Sequence, residues 1–386
     1  MSWAADGGLL EMRDGLYYWD YLQLDDVLSA QELESAREGD PAHDEMLFIV
    51  VHQAYELWFK QILWELDAVN ATMAQPRIAE RELSQLVQRL ERITEIQRVM
   101  LAQLPVLETM TPLDFLDFRE HLVPASGFQS VQFRLIENKL GVDPNRRPLI
   151  NQQPYTAVLR DEHRELIQTA SQEPSLLSHV EDWLERTPFV HWGSFDFWEE
   201  YRACVQAMLD REERIIREDA RLDEEGRAEQ MAAHEATVAT FRTVFDRDRY
   251  EELREKGERQ LTHDAFVAAL LITLYRDEPA FQMPHRLLTA LVDIDEGFTA
   301  WRQRHALMVH RMIGSKIGTG GTSGHRYLRQ SAERNKVFRD LYDLATYCIP
   351  RNELPELPPE VASQLGFRFH AGPDDVQQRA TGASDR

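Results

Sequence analysis

The sequence predicts an all-α protein with one large helical domain, and three observations support this fold class. Apolar residues recur at steps of three and four along several long stretches, which is the spacing of one face of an α-helix. The chain has no alternating pattern long enough to predict a strand and no internal repeat. With 386 residues, 43% of them hydrophobic, it can bury a large core. We expect a flexible lead-in over residues 1–15, the helical domain over 16–353 and a loose tail over 354–386.

The composition argues against several classes of partner. A formal net charge of -23 disfavours binding to nucleic acid and to anionic membrane surfaces, because both are polyanions. Cys204 and Cys348 are too few for a disulfide framework or a zinc cluster. The N-terminal residues lack the basic segment and apolar core of a signal peptide, and no apolar run approaches the length of a membrane span. We therefore expect a cytoplasmic protein.

An aromatic cluster lies close to the N-terminus, formed by Tyr17, Tyr18, Trp19, Tyr21 and Leu22. A cluster at this position has little core of its own in which to be buried. Docking onto a neighbouring subunit and packing on its own domain both remain open.

The first long helix is predicted from about residue 46 to residue 69, after acidic residues that suit a helix N-terminus. It is apolar on more than one face, so we expect it to be central. Phe48, His52, Tyr55 and Phe59 fall along one of its sides. His52 is therefore a histidine embedded among aromatic residues.

The next two segments indicate a helix that packs in a bundle and, after it, two arginines among phenylalanines. Residues 77–104 form an amphipathic stripe typical of helix packing. In residues 111–137, Arg119 and Arg134 lie among phenylalanines, where a guanidinium needs a partner. That partner is either an internal acid, such as Asp114 or Glu137, or the carboxylate of a ligand.

Further helices are predicted along the second half of the chain. They cover residues 173–187, two or three helices within 195–248, residues 261–276 and a final amphipathic helix at 336–347. The segment from about 210 to 248 is heavily charged, and we interpret it as a solvated helical excursion.

One apolar stripe contains a second embedded histidine. Its members recur at alternating steps of three and four: Leu291, Ile294, Phe298, Trp301, His305, Met308 and Met312. His305 is either a core histidine with one hydrogen bond or an imidazole presented to a buried flat cofactor, against which Trp301 would pack. His310 lies about 140° further round the helix, so His305 is the better ligand candidate.

The stripe leads into Gly318-Thr319-Gly320-Gly321-Thr322-Ser323-Gly324. Four glycines and three hydroxyl side chains expose backbone N–H and OH groups together. No Gly-Lys-Ser/Thr follows, so this is not a phosphate-binding loop. It is either a flexible surface turn or a loop that covers a substrate.

Three stretches together resemble the tryptophan 2,3-dioxygenase family: HDEMLFIVVHQAYELWFKQILWELD, FLDFREHLVPASGFQSVQFRLIENKLG and MVHRMIGSKIGTGGTSGHRYLR. The resemblance extends from about residue 18 to residue 350. It implies a cytoplasmic, homotetrameric, all-helical enzyme with one haem b per subunit. Such an enzyme opens the indole ring of L-tryptophan with O2 to give N-formyl-L-kynurenine, the first step of the kynurenine pathway.

The resemblance also implies roles for residues around the haem. His305 matches the proximal iron ligand, beside Trp301, and His52 matches the distal histidine. Ser126 and Gly127 match residues that line the haem pocket.

The remaining matches concern the substrate. The resemblance implies that Arg119 binds the carboxylate of L-tryptophan and that Thr319 contacts its ammonium and carboxylate groups. The other substrate-binding positions implied are Phe48, Phe115 and, from a neighbouring subunit, Tyr18, Tyr21 and Leu22.

Three other functions have to be weighed. A haem sensor of O2 or redox state would need the same proximal histidine but no grip on an amino acid. A helical scaffold would bind no cofactor. The third is a related enzyme that oxidises substituted tryptophans. The sequence hardly distinguishes it from an enzyme for L-tryptophan, because small changes in a pocket alter specificity by only ~1–3 kcal/mol.

Overall fold

A computed structural model of the chain describes residues 15–143, 147, 155–314, 316, 328, 330–332 and 334–366. Nearly all the regular secondary structure of the described residues is helical, which confirms the all-α prediction. The lead-in expected at residues 1–15, apart from residue 15, lies outside the described residues. So do the glycine-rich segment with Thr319 and the tail beyond residue 366.

Sixteen α-helices are bounded within the described residues, together with short 3₁₀ turns. In chain order they are α1 Tyr18–Tyr21, α2 Leu24–Ser29, α3 Glu34–Arg37, α4 His43–Met73, α5 Glu80–Leu107, α6 Pro112–Arg119, α7 Val131–Leu140, α8 Asp161–Gln172, α9 Leu176–Glu185, α10 Phe197–Glu218, α11 Glu224–Phe245, α12 Arg247–Glu255, α13 His263–Leu274, α14 Pro279–Ile313, α15 Arg339–Asp343 and α16 Pro359–Leu365. The 3₁₀ turns are Glu120–Leu122, Gly127–Gln129, Tyr155–Val158, Leu344–Tyr347 and Arg351–Glu353. A two-residue antiparallel hairpin, β1 His191–Trp192 and β2 Phe195–Asp196, precedes α10.

Three long helices form the centre of the molecule. Helix α5 packs along both α4 and α14, and α4 also packs on α7. The predicted stripe of α5 is buried, from Leu83 through Leu90 and Ile93 to Leu104. Helix α4 is apolar on more than one face because it packs against both α5 and α7.

The stripe predicted on α14 is buried as expected, except that His305 is only partly covered. A close approach fixes α14 against α5. The side-chain amide of Gln97 donates to the carbonyl oxygen of Ile294 at 2.9 Å. A Cβ at Gly297 would overlap Gln97 Oε1, so this position admits only glycine without rearrangement.

The charged excursion is shorter than the sequence indicates. Residues 210–233, which span the end of α10, the connecting segment and the start of α11, are exposed or half-buried. Phe241 and Val244 are buried, and the Phe241 ring meets the edge of Tyr347 at a centroid distance of 5.7 Å. The end of α11 therefore belongs to the core, because its face turns towards the C-terminal segments.

The predicted helix at 336–347 is also shorter, with α15 beginning only at Arg339. The buried Asp295 carboxylate accepts the N–H groups of Val337 and Phe338, at 2.9 Å and 2.8 Å from Oδ2. These two N–H groups are hydrogen-bonded to a side chain rather than to a preceding helical turn. The strong hydrogen bonds to Asp295 thus outweigh the helical pattern of the sequence.

The expectation of a loose tail from residue 354 is wrong for residues 354–366. Helix α16 buries Val361 and Leu365, and the Tyr275 hydroxyl donates to the carbonyl oxygen of Pro355 at 2.6 Å. These two apolar side chains, one turn apart, pack this short helix against the main hydrophobic core. For residues 367–386 the loose tail stays a prediction.

No helix within the described residues is both long enough and apolar enough to cross a membrane. In the same part of the chain, no group of three or more His, Cys, Asp or Glu side chains is arranged to hold a metal ion.

Candidate active site

A cavity of about 260 Å³ lies between α4, α6, α7 and α14. Its walls are mainly apolar and aromatic. The residues that line it include Phe48, His52, Tyr55, Glu56, Phe59, Phe115, Arg119, Ser126, Gly127, Phe128, Phe133, Arg134, Glu137, Trp301, Arg302, His305, Met308 and Met312. Eight of the twelve residues that the sequence singled out for a site are among them. A deep apolar cavity with a few polar groups is the usual form of a cofactor or substrate site.

His305 is held on α14 with its ring against Trp301. The two ring centroids are 5.2 Å apart and the planes are inclined by only 18°. Burial, together with the charge of His52, lowers the pKa of His305 to about 4. The imidazole is therefore neutral at pH 7, which is the form that binds a metal ion.

The hydrogen bonding of His305 also fits a ligand. Its Nδ1 atom is buried without a hydrogen-bond partner among the described residues. The His305 ring is only half-buried because one side of it faces the cavity. Burial by the surrounding residues nevertheless lowers its pKa. Because most buried side-chain nitrogens have a hydrogen-bond partner, this Nδ1 atom is left for a group that the described residues do not supply.

His52 faces the same cavity from α4. Its Nδ1 atom lies 2.7 Å from the carbonyl oxygen of Phe48. Since a carbonyl can only accept, Nδ1 carries the proton. Burial lowers the pKa of His52 below 6.5, against smaller raising effects of the Phe48 carbonyl and of Glu56. The ring is therefore neutral at pH 7, and its Nε2 atom is a hydrogen-bond acceptor.

Aromatic rings enclose the space on both sides. The Phe48 ring meets Phe115 and Phe118 at centroid distances of 5.7 Å and 5.5 Å. On the side of His305, the Trp301 ring meets Phe59 at 6.1 Å and Phe133 at 5.2 Å. Both histidines are thus flanked by flat apolar surfaces.

The two arginines singled out from the sequence lie in different surroundings. Arg134 pairs with Glu137, with Nη1 at 2.9 Å from Oε2, so its internal partner is the acid considered for it. Arg119 lines the cavity at the last residue of α6. The other internal acid, Asp114, is used as a helix cap and accepts the N–H of Thr111 at 2.8 Å.

Ser126 and Gly127 form part of the cavity wall at the short turn before α7. The Ser126 hydroxyl caps this turn by accepting the N–H of Phe128 at 3.4 Å. No atom lies within 4 Å of a Cβ built on Gly127. The turn places backbone and a hydroxyl beside the cavity, as the sequence suggested.

One end of the cavity is formed by charged residues that the sequence does not indicate as a group. Glu137 on α7 bonds Arg134, and its Oε1 atom lies 3.0 Å from Arg302 Nη2 on α14. Burial alone would raise the pKa of Glu137, but Arg134, Arg147 and Arg302 together lower it to about 2. Arg302 follows Trp301 directly in the sequence. A positively charged residue next to a core position was the signal that could have indicated a buried charged group here.

These residues fit haem b. A neutral imidazole is available on one side for the iron, and aromatic and methionine side chains are available for the porphyrin faces. Arg134 and Arg302, whose guanidinium groups outnumber the Glu137 carboxylate between them, suit the two carboxylates of this cofactor.

The other predicted substrate residues are not brought into this cavity by the single chain. Tyr18, Tyr21 and Leu22 are 70%, 68% and 39% exposed on and just after α1. None of them lines the cavity. Thr319 lies outside the described residues.

The fold and the cavity define an all-helical protein with two neutral histidines on separate helices around one apolar, arginine-edged pocket. The family model described as tryptophan 2,3-dioxygenase matches residues 4–348. The chain belongs to the tryptophan 2,3-dioxygenase family.

Individual relatives agree with this assignment over nearly their whole length. The tryptophan 2,3-dioxygenase of Bdellovibrio bacteriovorus is 47% identical over 354 residues, which are 92% of this chain and 99% of the relative. That of Dictyostelium discoideum is 47% identical over 356 residues, 92% of this chain and 89% of the relative. The mouse protein of the same name is 47% identical over 349 residues, 90% of this chain and 86% of the relative.

Proposed function

We propose that this chain is a haem-dependent dioxygenase that inserts O2 across the indole C2–C3 bond of L-tryptophan, giving N-formyl-L-kynurenine. Family membership supports the reaction. The observation that carries the assignment to this cavity is the pair of neutral histidines, His52 and His305, which face it from different helices. One can hold the iron, and the other can accept a hydrogen bond from the substrate.

His305 would hold haem b in this cavity through its neutral imidazole, with Trp301 packed on the same side. When bound, the haem iron supplies the binding and activation of O2. The protein contributes orientation. Ser126 and Gly127 line the cavity beside the haem site, and the stacked Trp301 ring restricts rotation of the His305 imidazole.

Two polar groups would orient the indole relative to the iron. His52 Nε2 can accept the indole N–H, because the Phe48 carbonyl keeps the ring proton on Nδ1. His52 does not need to remove that proton, since attack on C2 or C3 can proceed with the N–H in place. Arg119 would bind the carboxylate through the two parallel hydrogen bonds that a guanidinium favours.

The walls would select the indole ring and exclude water. Phe48 and Phe115 offer flat apolar contact beside His52. A dry pocket strengthens each hydrogen bond to the substrate. Thr319 is proposed to contact the ammonium and carboxylate end of the same ligand.

The exposed aromatic residues suggest an oligomer. Leu16, Tyr17, Tyr18 and Tyr21 are each at least 67% exposed, and Leu22 lies beside them. Such a patch is costly in water and indicates a protein interface. We propose a homotetramer, in which Tyr18, Tyr21 and Leu22 complete the active site of a neighbouring subunit. A cytoplasmic location, to be checked by cell fractionation, completes the proposal.

A haem sensor is the main competing function. It would share His305 but would have no need of Arg119, which lines the cavity on the same helix as Phe115. The decisive experiment is to reduce the haem-loaded chain without oxygen and then add L-tryptophan and ¹⁸O2. We expect a product that is heavier by two labelled oxygen atoms. Binding of O2 with no product would favour the sensor, and a product with one labelled atom would exclude dioxygenation.

The same assay can test substrate choice. Tryptophans substituted on the indole ring should be compared with L-tryptophan by kcat/KM. A higher value for a substituted tryptophan would retain the haem chemistry but replace the proposed substrate.

A further inference from the structure

The carboxylate of Glu137 joins three segments of the chain. Its Oε2 atom lies 2.9 Å from Arg134 Nη1, on the same helix α7. Its Oε1 atom lies 3.0 Å from Arg302 Nη2 on α14 and 2.9 Å from the side-chain amide nitrogen of Asn335, before α15. Both oxygens are therefore used, and Glu137 is only 1% exposed.

The arginines held in this way face the cavity. Arg134 and Arg302 are both buried and both line it. Arg302 is also fixed from the side, with its guanidinium carbon 5.6 Å from the Phe133 centroid and 5.8 Å from the Phe298 centroid. Since Arg302 precedes His305 by three residues on α14, its guanidinium lies on the part of the helix that carries the proposed iron ligand.

We propose that Glu137 is a positioning residue, which fixes the guanidinium groups of Arg134 and Arg302 in the orientation that receives the carboxylates of haem. This inference rests on the proposed function, because it takes haem as the occupant of the cavity. Glu137 acts through the two arginines and does not itself touch the cofactor.

The opposite role would be simple neutralisation of buried positive charge. In that case the negative charge of Glu137 would weaken the attraction for a carboxylate, and its removal would strengthen binding. A positioning role predicts the reverse. A glutamine side chain at this site would point its NH2 group at one of the two guanidinium groups. Since both groups are hydrogen-bond donors, that arginine would have to move.

The test compares haem with its dimethyl ester, which has the same ring and iron but no free carboxylates. The full-length wild type, Glu137→Gln and Glu137→Asp are each loaded with either compound. Transfer to an excess of apomyoglobin gives the rate of loss. Glu65→Gln is the matched control, because Glu65 is 3% exposed and pairs with Arg92 at 2.6 Å but does not line the cavity.

We expect the wild type to lose the ester faster than haem. Glu137→Gln should reduce this preference for haem by about tenfold, which corresponds to roughly 1.4 kcal/mol. Glu137→Asp keeps the charge but draws the carboxylate back, so it should reduce the preference in the same direction. The Glu65→Gln control should keep the wild-type ratio.

An unchanged or increased ratio in Glu137→Gln would overturn the inference, as would full retention of the ratio in Glu137→Asp. If Glu137→Gln does not fold, the Glu137→Asp ratio decides alone. A wild type that binds haem and its ester equally would overturn the inference and leave the dioxygenase proposal intact. A wild type that binds no haem would overturn the proposed function itself.

Discussion

The ring of Trp301 stacks on the ring of His305 one helical turn further along α14, at a centroid distance of 5.2 Å. This stacking supports the imidazole on one side and leaves its other side to the cavity. The exposed His310, on the same helix, does not line the cavity. The two histidines of this helix can therefore be separated by substitution.

His305→Ala should lose most of the haem, or bind it with a spectrum that added imidazole restores, because no other described histidine on α14 lines the cavity. His310→Ala is the matched control and should keep a normal Soret band. The measurement is the absorbance of haem per chain after purification. Loss of haem in His310→Ala with retention in His305→Ala would reverse the assignment.

The pH dependence of turnover should report His52. Its pKa is lowered from 6.5, so the neutral ring that accepts the indole N–H persists below pH 6.5. We expect kcat/KM for L-tryptophan to stay level as the pH falls to 6.5 and to decline only as it passes through the lower pKa of the folded protein. In 1-methyltryptophan the indole N–H is absent, and this decline should be reduced. A decline centred above pH 6.5 in the wild type would contradict the neutral assignment.

Arg119→Ala should reduce kcat/KM for L-tryptophan by at least about tenfold, since a hydrogen bond to a charged group contributes roughly 1.5–3 kcal/mol. Haem content and O2 binding without substrate should be nearly unchanged. Tryptamine, which lacks the carboxylate, should be a poor substrate that loses little more in the variant. Equal losses for both substrates would make Arg119 structural.

Gly297→Ala should destabilise the fold by about 1–3 kcal/mol, the usual range for overpacking a core. The new methyl group would displace the Gln97 side chain and break its bond to the Ile294 carbonyl. Chemical denaturation of the haem-free chain measures the change. The double variant with Gln97→Ala should be more stable than the sum of the two single effects. Strict additivity would show that the two residues do not compete for this space.

Deletion of residues 1–24 should impair tryptophan turnover more than haem content, because it removes Tyr18, Tyr21 and Leu22 but none of the residues that line the cavity. Sedimentation of the full chain and the deletion variant would show whether the subunits separate. A fully active monomer after the deletion would rule out a contribution from a neighbouring subunit.

Periodicity predicted the fold class and the long helices because α4, α5 and α14 each bury a regular stripe. Family resemblance placed His52, His305 and Arg119 before the structure showed that they share one cavity. Their catalytic and binding roles stay predictions. The membership of the family and the dioxygenase assignment that follows from it are confirmed by the comparisons.

The remaining differences arise from contacts between residues distant in sequence. The start of α15 is set by Asp295, more than forty residues earlier, and periodicity within a window cannot register such a bond. Glu137 was foreseen only as a partner of an arginine nearby in sequence, whereas Arg302 reaches it from 165 residues away. The docking of α16 likewise depends on partners that the local composition does not reveal.

The close approach at Gly297 also limits how the gene can change in length. Gly297 fixes α14 against α5, and His305 follows eight residues later on the same continuous helix. A single inserted or deleted codon between them would turn the imidazole by about 100° around the helix axis and away from the cavity. Insertions that survive selection should therefore fall outside this interval, as in the polar stretch 219–223 between α10 and α11.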